Sequence, residues 1–147
     1  MSTKIKRNFA FKAAVYFEGL FLMNDYKITL TMNVESDSIR EQGIAMDRIK
    51  YLFQELLTNC VFVQETETKV IENYHKADLK VCTVPEEPYD QIITVLVLAK
   101  TNAITEGRLE ITDIELSSEM SDGVSFVYDS RILSSDTMFN KFGWWNE

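Results

Sequence analysis

The chain has 147 residues, 46% apolar and 26% charged, with a formal net charge of −8. That length fits one domain with a substantial core. The acid excess argues against nucleic acid as a primary partner, because phosphate contacts need a surplus of Lys and Arg, and the few basic residues near the start (Lys4, Lys6, Arg7, Lys12) do not form a sizeable patch. No apolar run reaches the ~18–20 residues of a bilayer span, and the N-terminus lacks an apolar signal core, so neither membrane nor secretion is expected and the cytoplasm is the default location. Cys60 and Cys82 sit in apolar surroundings without metal-type spacing. They are expected to be small, reduced, buried side chains, with a single disulfide between them as the open alternative.

Residues 1–7 read as a polar lead-in. From 8 to 18, Phe9, Phe11, Ala13, Val15 and Phe17 share one face at period two, which predicts a strand. Residues 19–25 read as the link to a second strand, with Gly19 and Asn24-Asp25 supplying turn chemistry, although Phe21, Leu22 and Met23 are unusually apolar for a hairpin tip. The run 26–35 alternates without error and predicts a strand with one buried face. A loop is expected over 36–43. Ile49, Leu52, Phe53, Leu56 and Leu57 then recur at three- and four-residue spacing, an amphipathic helix over 44–57. Residues 61–63 suggest a short extended piece, and 64–80 give no clear pattern. Pro85-Glu-Glu-Pro88 reads as a helix start, followed by helical spacing to Ala103 and a stop at Gly107; the β-branched residues from Ile92 to Val97 leave a strand as the alternative there. Leu109 and Ile111 lie on one face and Ile114 and Leu116 on the other, a slip near Thr112-Asp113 of the kind a β-bulge makes. Ser121-Asp122-Gly123 predicts a turn, and Val124, Phe126 and Tyr128 a last strand. The domain is expected to span 1–130, followed by an aromatic C-terminal tail over 131–147.

The order strand–strand–helix–helix–strand–strand predicts an α+β fold: a four-stranded antiparallel sheet with two helices on one face. It resembles the tunnelling fold of the pyruvoyl-tetrahydropterin synthase family, which includes the carboxy-tetrahydropterin synthases. The family pattern Phe-x-Ala-Ala-His is similar to Phe11-Lys-Ala-Ala-Val15, and His-Gly-His-Asn-Tyr to Leu22-Met-Asn-Asp-Tyr26. Gly43-Ile-Ala-Met-Asp47 resembles the segment opening the family's first helix, Pro85–Pro88 the start of its second, and Glu115 the carboxylate that anchors the substrate's amino-pyrimidine edge. The resemblance implies a zinc site held by three imidazoles, but the matching positions carry Val15, Leu22 and Asn24. Neither Val nor Leu can donate a lone pair. The family's catalytic Cys has no counterpart in 18–23, and its Asp-His pair falls at Thr58-Asn59 or nearby. The expectation is a chain with no metal, no cofactor and no catalytic residue.

His75, the sole histidine, is expected in a solvated loop, since no motif gives it a partnered base or nucleophile. Glu86 and Glu87 are explained by the dipole of the helix they precede. Glu115 is the candidate ligand-binding residue: a carboxylate accepting two parallel donors would select a pterin or purine edge. Phe21, Leu22 and Met23, with Phe139, Phe142, Trp144 and Trp145 of the tail, are candidate interaction residues; folding back to complete their own domain's core is the alternative. Open sheet edges favour a homo-oligomer. Three functions follow as expectations: a zinc-free, non-catalytic oligomeric binding or structural module; an enzyme or binder of pterins or purines of the same family, using an interface pocket around Glu115; or an acidic adaptor or inhibitor docking on a basic host protein through its tail.

Overall fold

The structure, a computed structural model, describes residues 3–34 and 39–131. Among them, β1 (Thr3–Phe17) and β2 (Leu20–Val34) form a long antiparallel hairpin that pairs from Thr3↔Val34 to Phe17↔Leu20. The alternating pattern extends further in both directions than the sequence reading allowed. The lead-in from Thr3 is strand, and so are residues 20–25, read above as a link. The turn is only Glu18-Gly19, both at positive φ (50° and 80°), the combination a two-residue hairpin turn needs to match strand twist. Asn24, read as turn chemistry, is therefore an inward-facing strand residue, 2% exposed.

Helix α1 (Ile39–Tyr51) continues into a π-helical segment, Leu52–Leu57, where the Thr58 hydroxyl donates to the Phe53 carbonyl at 2.7 Å. A parallel unit follows: β3 (Cys60–Gln64), α2 (Thr68–Lys76) and β4 (Lys80–Val84). Then come α3 (Asp90–Thr105), β5 (Leu109–Ser118) and β6 (Ser125–Asp129). The sheet order is β4-β3-β1-β2-β5-β6, with β1–β3 and β3–β4 parallel and the other pairs antiparallel.

This corrects the expected four-stranded antiparallel sheet with two helices: the sheet is mixed and six-stranded, and the described residues hold three α-helices. The missed unit is β3-α2-β4. Cys60–Val63 is buried on both faces, so it carries no period-two signal, as expected of a strand covered on both sides. Helix α2 is nine residues long with none fully buried, too short for a helical period to stand out. Its Val70, Ile71 and Tyr74 pack over Ala14, Val61 and Val63 on one face of the sheet. The main core lies on the other face, under α1 and α3, and includes Phe11, Leu30, Ile49, Phe53, Leu96 and Ile114. Helix α3 is helical despite its β-branched run, because burial overrides weak intrinsic propensity.

The slip predicted near Thr112 is real. Thr31 pairs with Asp113 but Met32 with Ile111, leaving Thr112 as the extra residue. Asn102 on α3 serves the backbone beside this bulge: its Oδ1 accepts from the Ile111 N–H at 3.0 Å and its Nδ2 donates to the Ile111 carbonyl at 3.2 Å.

Candidate functional site

Beside the hairpin's turn end, the helix-facing side of β1 and β2 meets the N-terminus of α3. The side chains of β1 at 11, 13 and 15 and of β2 at 22, 24, 26 and 28 point toward the helices. Val15 lies opposite Leu22, and Asn24 opposite Ala13, so the structure brings together all three positions matched to the family's imidazoles. Val15 and Asn24 line a cleft of about 280 Å³ with Phe17, Tyr26, Asp90 and Phe126, while Leu22 packs against the main core.

The donor chemistry does not fit zinc. Val15 and Leu22 offer hydrocarbon. The Asn24 Oδ1, a weak ligand at best, already accepts from the Met120 N–H at 3.1 Å. Zinc sites need at least three N, S or carboxylate ligands, and among the described residues no group of three His, Cys, Asp or Glu could hold a metal.

The same positions offer hydrogen bonding instead. Because a backbone donor fixes Asn24 Oδ1, the amide's Nδ2 is the free end. Neither that Nδ2 nor the Tyr26 hydroxyl has a protein partner of hydrogen-bond geometry, although the residues are only 2% and 1% exposed. Buried polar groups are normally paired, and an unpaired one costs about 1–3 kcal/mol. Burial drives the Tyr26 pKa well above the ordinary phenol value, and the Asp90 carboxylate adds to the rise. The neighbouring Asn24 amide draws it down by less than burial raises it, but by more than Asp90 adds. Asp90, the first residue of α3, holds the place where an acid suits the helix dipole. Its Oδ2 accepts from the Ser118 hydroxyl at 2.5 Å and from the Ser121 hydroxyl. Tyr89 and Phe17 stack edge to face at the cleft, ring centroids 5.0 Å apart.

The sequence reading missed Tyr26 and Asp90. Extending the β2 alternation back by two residues would have put Asn24 inward, and an acid directly after Tyr89 marks the first helical turn. The helix begins at Asp90, so Pro85–Pro88 lies ahead of it, and Glu86 and Glu87 are exposed. Glu115 is exposed on the sheet face away from α1 and α3. It pairs laterally with Thr29 and Val127 and borders a wide groove with Lys27, Thr29 and Ser117. Within one chain it lies on the opposite face from the Asn24 cleft. His75 is in the last turn of α2, not a loop, and is exposed. Phe21 and Met23 are 47% and 57% exposed on the α2 side of the sheet, where Phe21 meets Tyr74 edge to face. Phe139, Phe142, Trp144 and Trp145 lie outside the described residues. Cys60 and Cys82 are buried and not joined by a disulfide, as expected.

No protein-family model matches this chain, and no curated protein does. Solved structures do match. An uncharacterized protein from Wolinella succinogenes aligns over 88% of this chain and 99% of its own, at 8% identity and a TM-score of 0.61. A catalytic-residue mutant of 6-pyruvoyltetrahydropterin synthase from Plasmodium vivax aligns over 87% and 97%, at 9% identity and 0.54. The Plasmodium falciparum synthase aligns over 86% and 96%, at 12% and 0.52. The likeness is one of fold: the chain is built like the 6-pyruvoyltetrahydropterin synthases. Among the described residues no helix is long and apolar enough to cross a membrane.

Proposed function

We propose that this chain is a zinc-free, non-catalytic binding protein on the pterin-synthase fold, which assembles with copies of itself and holds a small ligand in the Asn24 cleft. One observation carries the reading: at the positions matched to the metal-binding imidazoles stand a valine, a leucine and an asparagine, and the asparagine's Nδ2 and the Tyr26 hydroxyl, both of residues lining the cleft, are buried without a hydrogen-bond partner. A neutral ligand with a carbonyl or ring nitrogen would satisfy both groups, and its own N–H groups would find the Asp90 carboxylate. A pterin or purine has that pattern, and the apolar walls suit its faces.

Assembly is supported by the sheet edges. The edge strands β4 and β6 have five residues each, and Val127 on β6 is 65% exposed; open edges invite pairing. In such an assembly the open sheet face of one copy, with Glu115, could complete the cleft of another.

Metal analysis, light scattering and a thermal-shift screen with pterins and guanine compounds test the proposal together. The expected result is no stoichiometric zinc, an oligomer, and a ligand-induced shift that Asn24→Ala abolishes. Stoichiometric zinc would overturn the reading. A clean monomer would remove the assembly, and a shift lost only in Glu115→Ala would move the ligand to the open face.

A further inference from the structure

Leu20, Phe21 and Met23, at the turn end of the β1–β2 hairpin, are 58%, 47% and 57% exposed. Strand pairing is unbroken up to Phe17↔Leu20, so the sheet holds these side chains in place without the freedom of a loop. Phe21 lies opposite Tyr16, and the Tyr74 ring of α2 meets both edge to face, with centroids 5.7 Å and 6.3 Å away. Met23, opposite Ala14, continues the same face along β2. Large apolar side chains left half open on a fixed aromatic floor mark a contact surface.

The rim of this surface selects what covers it. Beside the turn, Glu18, Glu67 and Glu87 line a small cavity of about 100 Å³ together with Tyr16, and all three acids are exposed. Two cations on this side are matched already: Lys12 Nζ lies 3.8 Å from Asp25, and Lys76 Nζ 3.3 Å from Glu72. Lys69, in the first turn of α2, is left to set against the three carboxylates, so the rim is negative. Two copies meeting patch to patch would oppose like charges, and an anionic membrane surface would be repelled. A partner with cations beside its apolar side chains gains on both counts, and the acids speed its encounter.

We propose that the hairpin end docks a basic, apolar segment of a partner protein. Its aliphatic or aromatic side chains cover Phe21 and Met23, and its lysine or arginine reaches the carboxylates of Glu18, Glu67 and Glu87. The inference is independent of the Asn24 cleft, because Phe21 meets α2 on one face of the sheet and the cleft opens on the other. Apolar cover supplies the affinity, and the acidic rim supplies the choice of partner.

The test uses the full chain, with a fluorescein-labelled heptapeptide of alternating lysine and leucine as the probe, followed by fluorescence anisotropy at low salt. Two counterparts of the same length separate the contributions: lysine with serine keeps the charge, and glutamate with leucine keeps the hydrocarbon. The lysine–leucine peptide should bind about tenfold or more tighter than either. Phe21→Ser and Met23→Ser should each weaken it about fivefold, and Glu87→Gln about threefold. Glu110→Gln, at an exposed residue paired with Asn33 toward the far end of the sheet, should change it by less than about twofold. Equal affinity for either counterpart, equal losses in Glu110→Gln and Glu87→Gln, unchanged affinity in Met23→Ser, or an absence of binding would each overturn the proposal. If Phe21→Ser does not fold, Met23→Ser decides, since Met23 is the more exposed of the two. A mass by light scattering that falls in Met23→Ser would give the surface to a second copy and refute the basic partner.

Discussion

Two asparagines on the helix-covered side of the sheet make opposite use of the same amide. Asn102 is closed: both ends bond the backbone of Ile111, and the result is structural, since it satisfies the chain beside the Thr112 bulge and ties α3 to β5. Asn24 is half open: its oxygen bonds the Met120 N–H, while its Nδ2 and the neighbouring Tyr26 hydroxyl face a cleft unpaired. Other buried polar residues of α3 follow Asn102. The hydroxyls of Thr94, Thr101 and Thr105 all donate to backbone carbonyls. Among the described residues, Asn33 Oδ1 and Arg108 Nη1 are also buried without a hydrogen-bond partner; the two groups beside the N-terminus of α3 differ from these in lining a cleft, and the proposed ligand would pair with them.

The largest effect that sharpens the contrast should come from Asn102→Ala. Ile111 is 0% exposed, so water cannot replace the lost partners, and leaving two buried backbone groups unpaired costs about 2–4 kcal/mol. Thermal unfolding should show a melting temperature lower by roughly 5–15 °C. Asn24→Ala should cost less, about 1 kcal/mol, because the one bond it breaks is to Met120, which is 46% exposed and can turn to solvent. Its main effect should fall on ligand-induced stabilisation. If urea titration gave the two variants equal losses, the distinction between a structural and a binding asparagine would collapse.

The sequence was most legible where one face of an element is wet. The alternation of β2, the helical period of 44–57 and the slip at Thr112 all belong to elements with two chemically different faces, and each is present in the structure. Legibility failed where both faces are alike. Cys60–Val63 is apolar on both sides because α2 covers one and the main core the other, so its alternation disappears. It failed again at 20–25, where Asn24-Asp25 has the composition of a turn but the hairpin closes earlier, at Glu18-Gly19. That misreading hid the site: treating Asn24 as loop chemistry removed the one polar residue in the inward row Leu22, Asn24, Tyr26, Ile28. The aligned positions Val15, Leu22 and Asn24 could be read from the resemblance. The partners Tyr26 and Asp90 could not, because their meeting depends on where α3 begins.

The smallest effect at neutral pH belongs to Tyr26→Phe, and its sign is the sharpest test of the contrast. Removing a paired hydroxyl destabilises; removing an unpaired buried one leaves stability unchanged or raises it by about 1 kcal/mol. The ring itself is kept, stacked on Phe11 at a centroid distance of 4.8 Å. Alkaline conditions add a second reading. The folded phenol's pKa is raised above its unfolded value, so its contribution is fully present below about pH 10 and is lost as pH climbs beyond it, at up to ~1.4 kcal/mol per unit. The Cys60 thiol, also pushed up by burial, begins its own loss nearer the ordinary thiol range. Urea titrations from pH 8 to pH 11 should therefore show the wild type falling in two stages, and Tyr26→Phe keeping the first and losing most of the second, the remainder belonging to Tyr74 and Tyr89, whose phenols are also raised. A variant destabilised at pH 7, with an unaltered alkaline slope, would mean that the hydroxyl is paired and the cleft closed.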